Sequence, residues 1–489
     1  MSVLAVEHQE QPSQTGSPLE AARDRTVALV ILCAGFFMTI LDTTIVNVAL
    51  PSIQRDLGFS QAHLAWVLNA YLIAFGGLLL LAGRLGDLVG RRAVFLTGLW
   101  VFIGASALCG LAQSQTMLIA ARFVQGAGGA LTSAVILGMV VTLFPEPREQ
   151  AKAIGAYAAV GAVGASAGLV TGGILTQAIS WHWIFFVNVP VGIATAVAAL
   201  RRLPRDAGLG LRAGADLPGA LLAVAALMLG VDAIVEAADR GWTSGRTLGV
   251  GALAVALAAA FVLRERTARA PLAPLRIFRI RSVAVANTTQ ILLIAGAFGQ
   301  QFLVALYLKG VKGFGPIEIG FATLPIALVI GTVALQLSGR VMQRIGVRPT
   351  LLVGLALSAL SFALLARLPA ASTYAVDLLP SFVLMGLGFG LASPALTTLA
   401  MRDVAPQDAG LASGLVNTTQ QIGAALGLAI LATLSTSRTE HLTAAGQATT
   451  DALTGGYRLA FAVAAGLVLV AIGVAALPLG GKDPAAPRS

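Results

Sequence analysis

Asp42 lies within the first long apolar run of the chain, in Leu41-Asp42-Thr43-Thr44-Ile45-Val46-Asn47-Val48-Ala49-Leu50-Pro51. A carboxylate in hydrocarbon costs several kcal/mol, which makes an intramembrane acid a candidate for proton or ion binding. Arg122 is the one basic residue that the apolar pattern places inside a span. Its guanidinium does not deprotonate in proteins, so it cannot carry a proton by losing one. A fixed cation does bias the protonation of an acid close to it. The two residues therefore suit uptake of a proton by Asp42 and its discharge with the help of Arg122. Two plainer readings stand beside this one. Asp42 can reach the headgroups from a helix end, and the two charges can form a static buried pair.

Other chemistries find little support in the residues. His8, His63, His182 and His441 are scattered without ligand spacing, and Cys33 and Cys109 both fall in apolar spans. The cysteines read as small buried residues, with no metal site and no disulfide. There is no phosphate-binding glycine loop followed by lysine, and no Ser/His/Asp set can be assembled. The expectation is a protein without cofactor or metal, not an enzyme, and driven by an ion gradient. A membrane-embedded enzyme such as an acyltransferase would need a His/Asp pair or acid cluster near an interface, and His182 and His441 lack such partners. A transporter-like receptor would need a sizeable soluble domain.

The elements that must position Asp42 and Arg122 are helices. Of 489 residues 57% are hydrophobic and 11% charged, with 55 glycines; a soluble chain carries about 25% charged residues. Such composition predicts an all-α polytopic membrane protein packed through small residues. Apolar windows of about 20 residues number fourteen, the weakest being 217–235 and 247–263. No short apolar core with a cleavage site precedes them. With the N-terminus inside, 23 of the 32 lysines and arginines fall in inner segments and 8 in outer ones. That bias places both termini in the cytoplasm. It also accounts for the net charge of +10 without nucleic acid. The expected localisation is the inner (cytoplasmic) membrane of a bacterium, the expected partners are a small-molecule substrate, protons and the lipid bilayer, and the expected state is a monomer.

The chain repeats. Gly83-Arg84-Leu85-Gly86-Asp87-Leu88-Val89-Gly90-Arg91-Arg92 recurs 256 residues later as Gly339-Arg340-Val341-Met342-Gln343-Arg344-Ile345-Gly346-Val347-Arg348, and Gln125-Gly126-Ala127-Gly128 is similar to Met385-Gly386-Leu387-Gly388. Two parallel six-helix halves are one large transporter architecture. The division expected is a tail 1–26, a half 27–200, a linker 201–282 with two extra helices, a half 283–478 and a tail 479–489. With these repeats, the Asp42 run, Arg122-Phe123-Val124-Gln125-Gly126 and Trp181-His182-Trp183-Ile184-Phe185-Phe186-Val187-Asn188-Val189-Pro190, the chain resembles the major facilitator superfamily, specifically its fourteen-span drug:proton antiporter family. Ala412-Ser413-Gly414-Leu415-Val416-Asn417-Thr418-Thr419-Gln420-Gln421 is similar to that family too. The resemblance implies proton-coupled export of lipophilic drugs, cationic ones included, or toxic metabolites by alternating access. One departure leaves open a metabolite uniporter or symporter: the family's Gly-Pro-x-x-Gly-Gly reads Gly168-Leu169-Val170-Thr171-Gly172-Gly173 here, without the proline that would bend the helix.

Roles can be set against these motifs. Gly83, Arg84, Gly86, Asp87, Gly90, Arg91 and Arg92 form a loop that reads either as a set of positive-inside arginines or as a conformational lock. By resemblance Asp87 and Arg91 are members of that lock, holding the two halves closed at the cytoplasmic face. Gly164, Gly168, Gly172 and Gly173 form a helix-packing surface expected to meet the opposite half. Asn69, Tyr71, Gln290, Gln300, Gln301, Asn417 and Gln421 are candidate substrate contacts, each equally readable as an interhelical hydrogen bond. Asp232 and Glu236, four apart, are expected at the outer membrane edge.

Overall fold

The computed structural model describes residues 18–206, 208, 210, 214–268, 271–272, 275–369, 372–404 and 409–478. The C-terminal tail expected at 479–489, the N-terminal one up to residue 17, and the linker arginines Arg212 and Arg269 lie outside the described residues. Those residues contain no strand and fourteen helices long and apolar enough to cross a membrane. They are α1 (Arg23–Leu57), α2 (Gln61–Val89), α3 (Arg91–Gly110), α4 (Gln115–Leu143), α5 (Lys152–Ala178), α6 (Trp183–Arg202), α7 (Leu217–Ala238) and α8 (Gly245–Thr267). The second half comprises α9 (Arg281–Gly310), α10 (Pro316–Ile345), α11 (Val347–Leu365), α12 (Tyr374–Met401), α13 (Gly414–Ala444) and α14 (Thr449–Ala475). The two weakest apolar windows are thus α7 and α8.

Local chemistry fixes where helices begin. Ser114 Oγ accepts the Met117 amide at 3.2 Å and starts α4; Ser244 Oγ accepts the Thr247 amide at 3.1 Å and starts α8. Each satisfies an amide that the first helical turn leaves without a partner. Gly90 and Gly346, 256 residues apart, both take positive φ, 97° and 90°. Side chains rarely tolerate that region, and glycine there lets α2 turn into α3 and α10 into α11 within one residue. The repeat extends to packing. A Cβ on Gly128 would lie 2.6 Å from Phe102 N, and one on Gly388 2.7 Å from Ser358 N. Both halves thus bring their third and fourth helices into backbone contact through small residues.

The linker helices are unequal. α7 touches both halves: Val224 fills the space a Cβ on Gly77 of α2 would take, and Thr433 of α13 donates to the Ile234 carbonyl at 3.0 Å. α8 packs chiefly on α7 and turns Leu248, Leu253, Val255 and Leu263 outward, a surface suited to lipid.

The α5 glycines face mainly the other way from expectation. Gly161, Gly164, Gly168 and Gly172 pack on Phe36, Ile40, Thr44 and Ile45 of α1 in the same half. Gly173 alone of this set meets the opposite half, at Pro316 and Ile317 of α10. The reason is angular: steps of three and four residues stay on one helix face, whereas a single residue turns about 100°.

Candidate functional site

Asp42 and Arg122 meet in the interior of the first half, both 0% exposed. The contact depends on a glycine. Gly126, one turn after Arg122 on α4, lies so close to α2 that a Cβ would stand 2.3 Å from the Tyr71 carbonyl. That approach brings Arg122 Nε to the Val67 carbonyl at 3.0 Å and its guanidinium 4.5 Å from the Tyr71 ring centre. The Phe185 ring lies at 5.7 Å. Arg122 Nη1 then donates to Asp42 Oδ2 at 2.6 Å and to Gln125 Oε1 at 2.7 Å.

The other carboxylate oxygen is held by neutral amides. Gln125 Nε2 donates to Asp42 Oδ1 at 2.8 Å, and Asn188 Nδ2 donates to the same atom at 3.0 Å. Ser106 Oγ of α3 accepts from Gln125 at 3.0 Å and from Asn188 at 3.2 Å, while donating to the Phe185 carbonyl at 3.0 Å. Cys109 Sγ lies 3.5 Å from Gln125 Oε1. Five helices, α1, α2, α3, α4 and α6, contribute to one buried polar centre. Asn188 and Ser106 carried no site role in the sequence; Asn188 stood inside the Trp181–Pro190 pattern, and Gln125 three residues from Arg122 pointed to a shared helix face. α6 turns at Val187 just before Asn188. Its approach is pinned by Trp181, whose Nε1 donates to Asp56 at 2.7 Å.

Removing one member of a buried pair leaves the other charge uncompensated, at about 3–5 kcal/mol. Asp42→Asn is therefore expected to fold less stably than the native chain. Arg122 would lose its anion and keep only the Val67 and Gln125 acceptors and an amide oxygen. Chemically, the centre can hold a carboxylate away from water and release it only by rearranging named donors.

The 83–92 loop is held from its own half and from the linker. Arg91 Nη2 lies 3.5 Å from Asp87, and its Nη1 donates to Gly138 O and Thr142 Oγ1 of α4, each at 2.9 Å. Asp206, just beyond α6, accepts the Arg91 amide at 2.5 Å and the Arg92 amide at 3.1 Å. The Gly210 amide donates to Leu88 O at 2.9 Å, Arg92 Nη2 to Leu200 O at 2.6 Å and Arg84 Nε to Gly214 O at 3.1 Å. Asp206, Gly210 and Gly214 thus lie against the end of α2 and the turn at Gly90. Gly86 packs on Val135 of α4, and a Cβ at Gly83 would meet open space.

The candidate substrate contacts divide. Tyr71 belongs to the Arg122 environment. Asn69 is 0% exposed, and its amide has no hydrogen-bond partner among the described residues. Gln290 and Gln300 are buried, and Gln301 is half-buried. Gln421 presses on Gly76 of α2, at the seam between the halves. Asn417 is exposed. In α5 the helix runs unbroken through Leu169, whose carbonyl faces Gly320 of α10.

Residues 32–428 match the Major Facilitator Superfamily. The chain belongs to that family. Members of the superfamily among solved structures share this fold: an auto-inhibited peptide transporter of the POT family aligns with a TM-score of 0.68 at 15% identity, over 93% of this chain and 96% of that one. A bacterial homologue of the human lysosomal transporter Spinster aligns with a TM-score of 0.66 at 17% identity, over 94% and 97%. Similar sequences lie closer. A puromycin resistance protein of Streptomyces alboniger is 40% identical over 94% of this chain and 93% of its own length. A cephamycin export protein of Amycolatopsis lactamdurans is 40% identical over 85% and 86%. The major facilitator protein described here is therefore a multi-pass membrane transporter with bacterial relatives.

Proposed function

We propose that this transporter exports lipophilic, including cationic, drugs or toxic metabolites in exchange for protons, using Asp42 as the proton carrier and Arg122 as the group that discharges it. The observation that carries the reading is the fully buried Asp42–Arg122 contact at 2.6 Å in a chain 40% identical to a drug resistance protein and to an antibiotic export protein. A buried acid with no role in transport would leave the chain carrying its desolvation for nothing.

Our reading places both termini in the cytoplasm and the halves at 27–200 and 283–478, with the linker at 201–282 between them. In that orientation α5 and α10 touch at their outer ends, while α2 and α13 stay in contact inward as far as Leu80 and Gly414. Gln177 accepts the Ile317 amide at 3.3 Å, and Gln61 donates to Ser435 at 3.4 Å, while Ile154 of α5 and Leu335 and Leu337 of α10 are exposed toward the other end. The arrangement fits a transporter open to the cytoplasm. Asp87 and Arg91, paired within their own half, would be free in this state to engage the opposite half in the other one. We further read the protein as a monomer, without catalytic residues, and with Asn69, Gln300 and Gln421 as substrate contacts. The unbent α5 at Leu169 is the observation that favours a second reading, a uniporter or symporter for a metabolite.

Growth of an efflux-deficient bacterial host on a panel of toxic dyes, with and without the protein, tests export. Proton flux from vesicles on adding a protected compound, compared with Asp42→Asn, tests coupling. Uphill export that survives Asp42→Asn in full would refute the assignment and send the search to Asp232 and Glu236.

A further inference from the structure

We infer that Asn188 senses the protonation state of Asp42: its side-chain amide donates to the carboxylate and, turned over, accepts from the protonated carboxyl. The inference rests on Asp42 as the proton carrier. All three groups on the carboxylate, Arg122, Gln125 and Asn188, present N–H donors. A proton arriving on Oδ1 creates an O–H that needs an acceptor, and in a dry interior an unmade hydrogen bond of this kind is costly. Arg122 has no acceptor atom. Gln125 Oε1 already receives Arg122 at 2.7 Å and Cys109 at 3.5 Å. Ser106 Oγ receives two amides. Asn188 Oδ1 is different: it is buried and has no partner among the described residues, on a side chain whose residue is 1% exposed.

A half-turn about the Asn188 Cβ–Cγ bond exchanges Nδ2 and Oδ1 with little change of shape. It sets Oδ1 where Nδ2 stood, 3.0 Å from Asp42 Oδ1, which is within reach of an O–H···O bond. The proton joins Asp42 Oδ1, no covalent bond breaks, and the exchange is of hydrogen bonds only. The same turn withdraws Nδ2 from Ser106 and so cuts a tie between α6 and α3. Protonation would then loosen α6 from α3 at Asn188. The titratable or charged groups facing Asp42 are Arg122 from α4, Tyr71 from α2 and Cys109 from α3. α5 presents glycines to α1 there, α6 the neutral Asn188, and α9 and α10 carry their titratable side chains toward their ends.

The sign of the effect follows. Without Asn188 the carboxylate still has two donors, but the protonated carboxyl loses its one acceptor. A fixed donor favours the carboxylate, and its loss would strengthen proton binding; only an amide that turns over to accept makes its loss weaken proton binding. The test is a pH titration of the full-length protein in proteoliposomes by infrared difference spectroscopy, following the carboxyl C=O stretch that disappears in Asp42→Asn. Asn188→Leu is expected to move its midpoint about one pH unit toward acid, a tenfold loss of proton affinity. Asn188→Ser, whose hydroxyl both donates and accepts, is expected to return it toward the native value. If Asn188→Leu does not fold, Asn188→Ala carries the same expectation. A midpoint unmoved or moved toward alkaline in the leucine or alanine variant, with the Asp42 band still present, overturns the inference even where thermal stability has fallen. Absence of any titrating band that depends on Asp42, together with uphill export by Asp42→Asn, is the separate signature that the proton-carrier reading itself has failed.

Discussion

The two halves repeat a scaffold and fill it with opposite chemistry. In the first half α3 and α4 bring Ser106, Arg122 and Gln125 to Asp42. Aligning Gly98 with Gly354 and Gly128 with Gly388 puts Phe362, Phe382 and Met385 at the corresponding places of α11 and α12. These are as deeply buried as their polar counterparts, Phe362 and Phe382 at 0% and Met385 at 2% exposure. One helical frame thus supports a charged centre on one side and an aromatic core on the other. The comparison teaches that packing does not require the charges. Dispersion and burial hold the second half at the same sites, so the polar centre of the first half is an addition to the scaffold.

The sharpest way to break this comparison is to make the first half resemble the second. Asp42→Leu with Arg122→Met removes both charges at similar volume, and such replacements are often neutral or stabilising. Uphill export should fall to background while thermal unfolding in detergent stays close to native. A large loss of stability would mean the charges hold the fold. Next in size is Arg122→Ala alone, expected to cost about 3–5 kcal/mol by leaving Asp42 buried and unpaired, measured by thermal unfolding. Phe382→Ala should cost a similar ~3–5 kcal/mol through its cavity, yet leave the number of protons exchanged per substrate unchanged; a changed ratio would spread coupling to both halves. The turn glycines sharpen the comparison more finely. Gly346→Ala meets only backbone strain, about 1 kcal/mol, whereas Gly90→Ala also meets the Asp206 carbonyl 2.7 Å away and should cost more. Smallest is Asp206→Ala, which removes the cap on α3 at about 1 kcal/mol and should raise hydrogen exchange in the 83–92 loop.

Fourteen spans were legible because hydropathy is a property of each segment by itself. The two charges were legible because ionisable groups stand out in apolar runs; their pairing came with the family resemblance, which sets spans one and four of a half side by side. Gln125, Ser106 and Asn188 were not, since a neutral polar residue in a span bonds to whichever helix is near, and nothing in its own segment names that helix. The α5 glycines show the same limit: their face could be read, but its partner could not, and Gly172 and Gly173 go to different helices for one residue of rotation. The contacts of Asp206, Gly210 and Gly214 have no periodicity to announce them, only a carboxylate placed where two amides start a helix.

The unequal cover of the two seams has a consequence for traffic within the bilayer. Where α2 meets α13, α7 stands outside the joint, with Val224 in the notch at Gly77 and Ile234 tied to Thr433. Where α5 meets α10, at Gly173 and Gly320, neither linker helix makes comparable contact. A compound dissolved among the acyl chains therefore meets a third helix behind one joint, and at the other only the close glycine packing of α5 on α10.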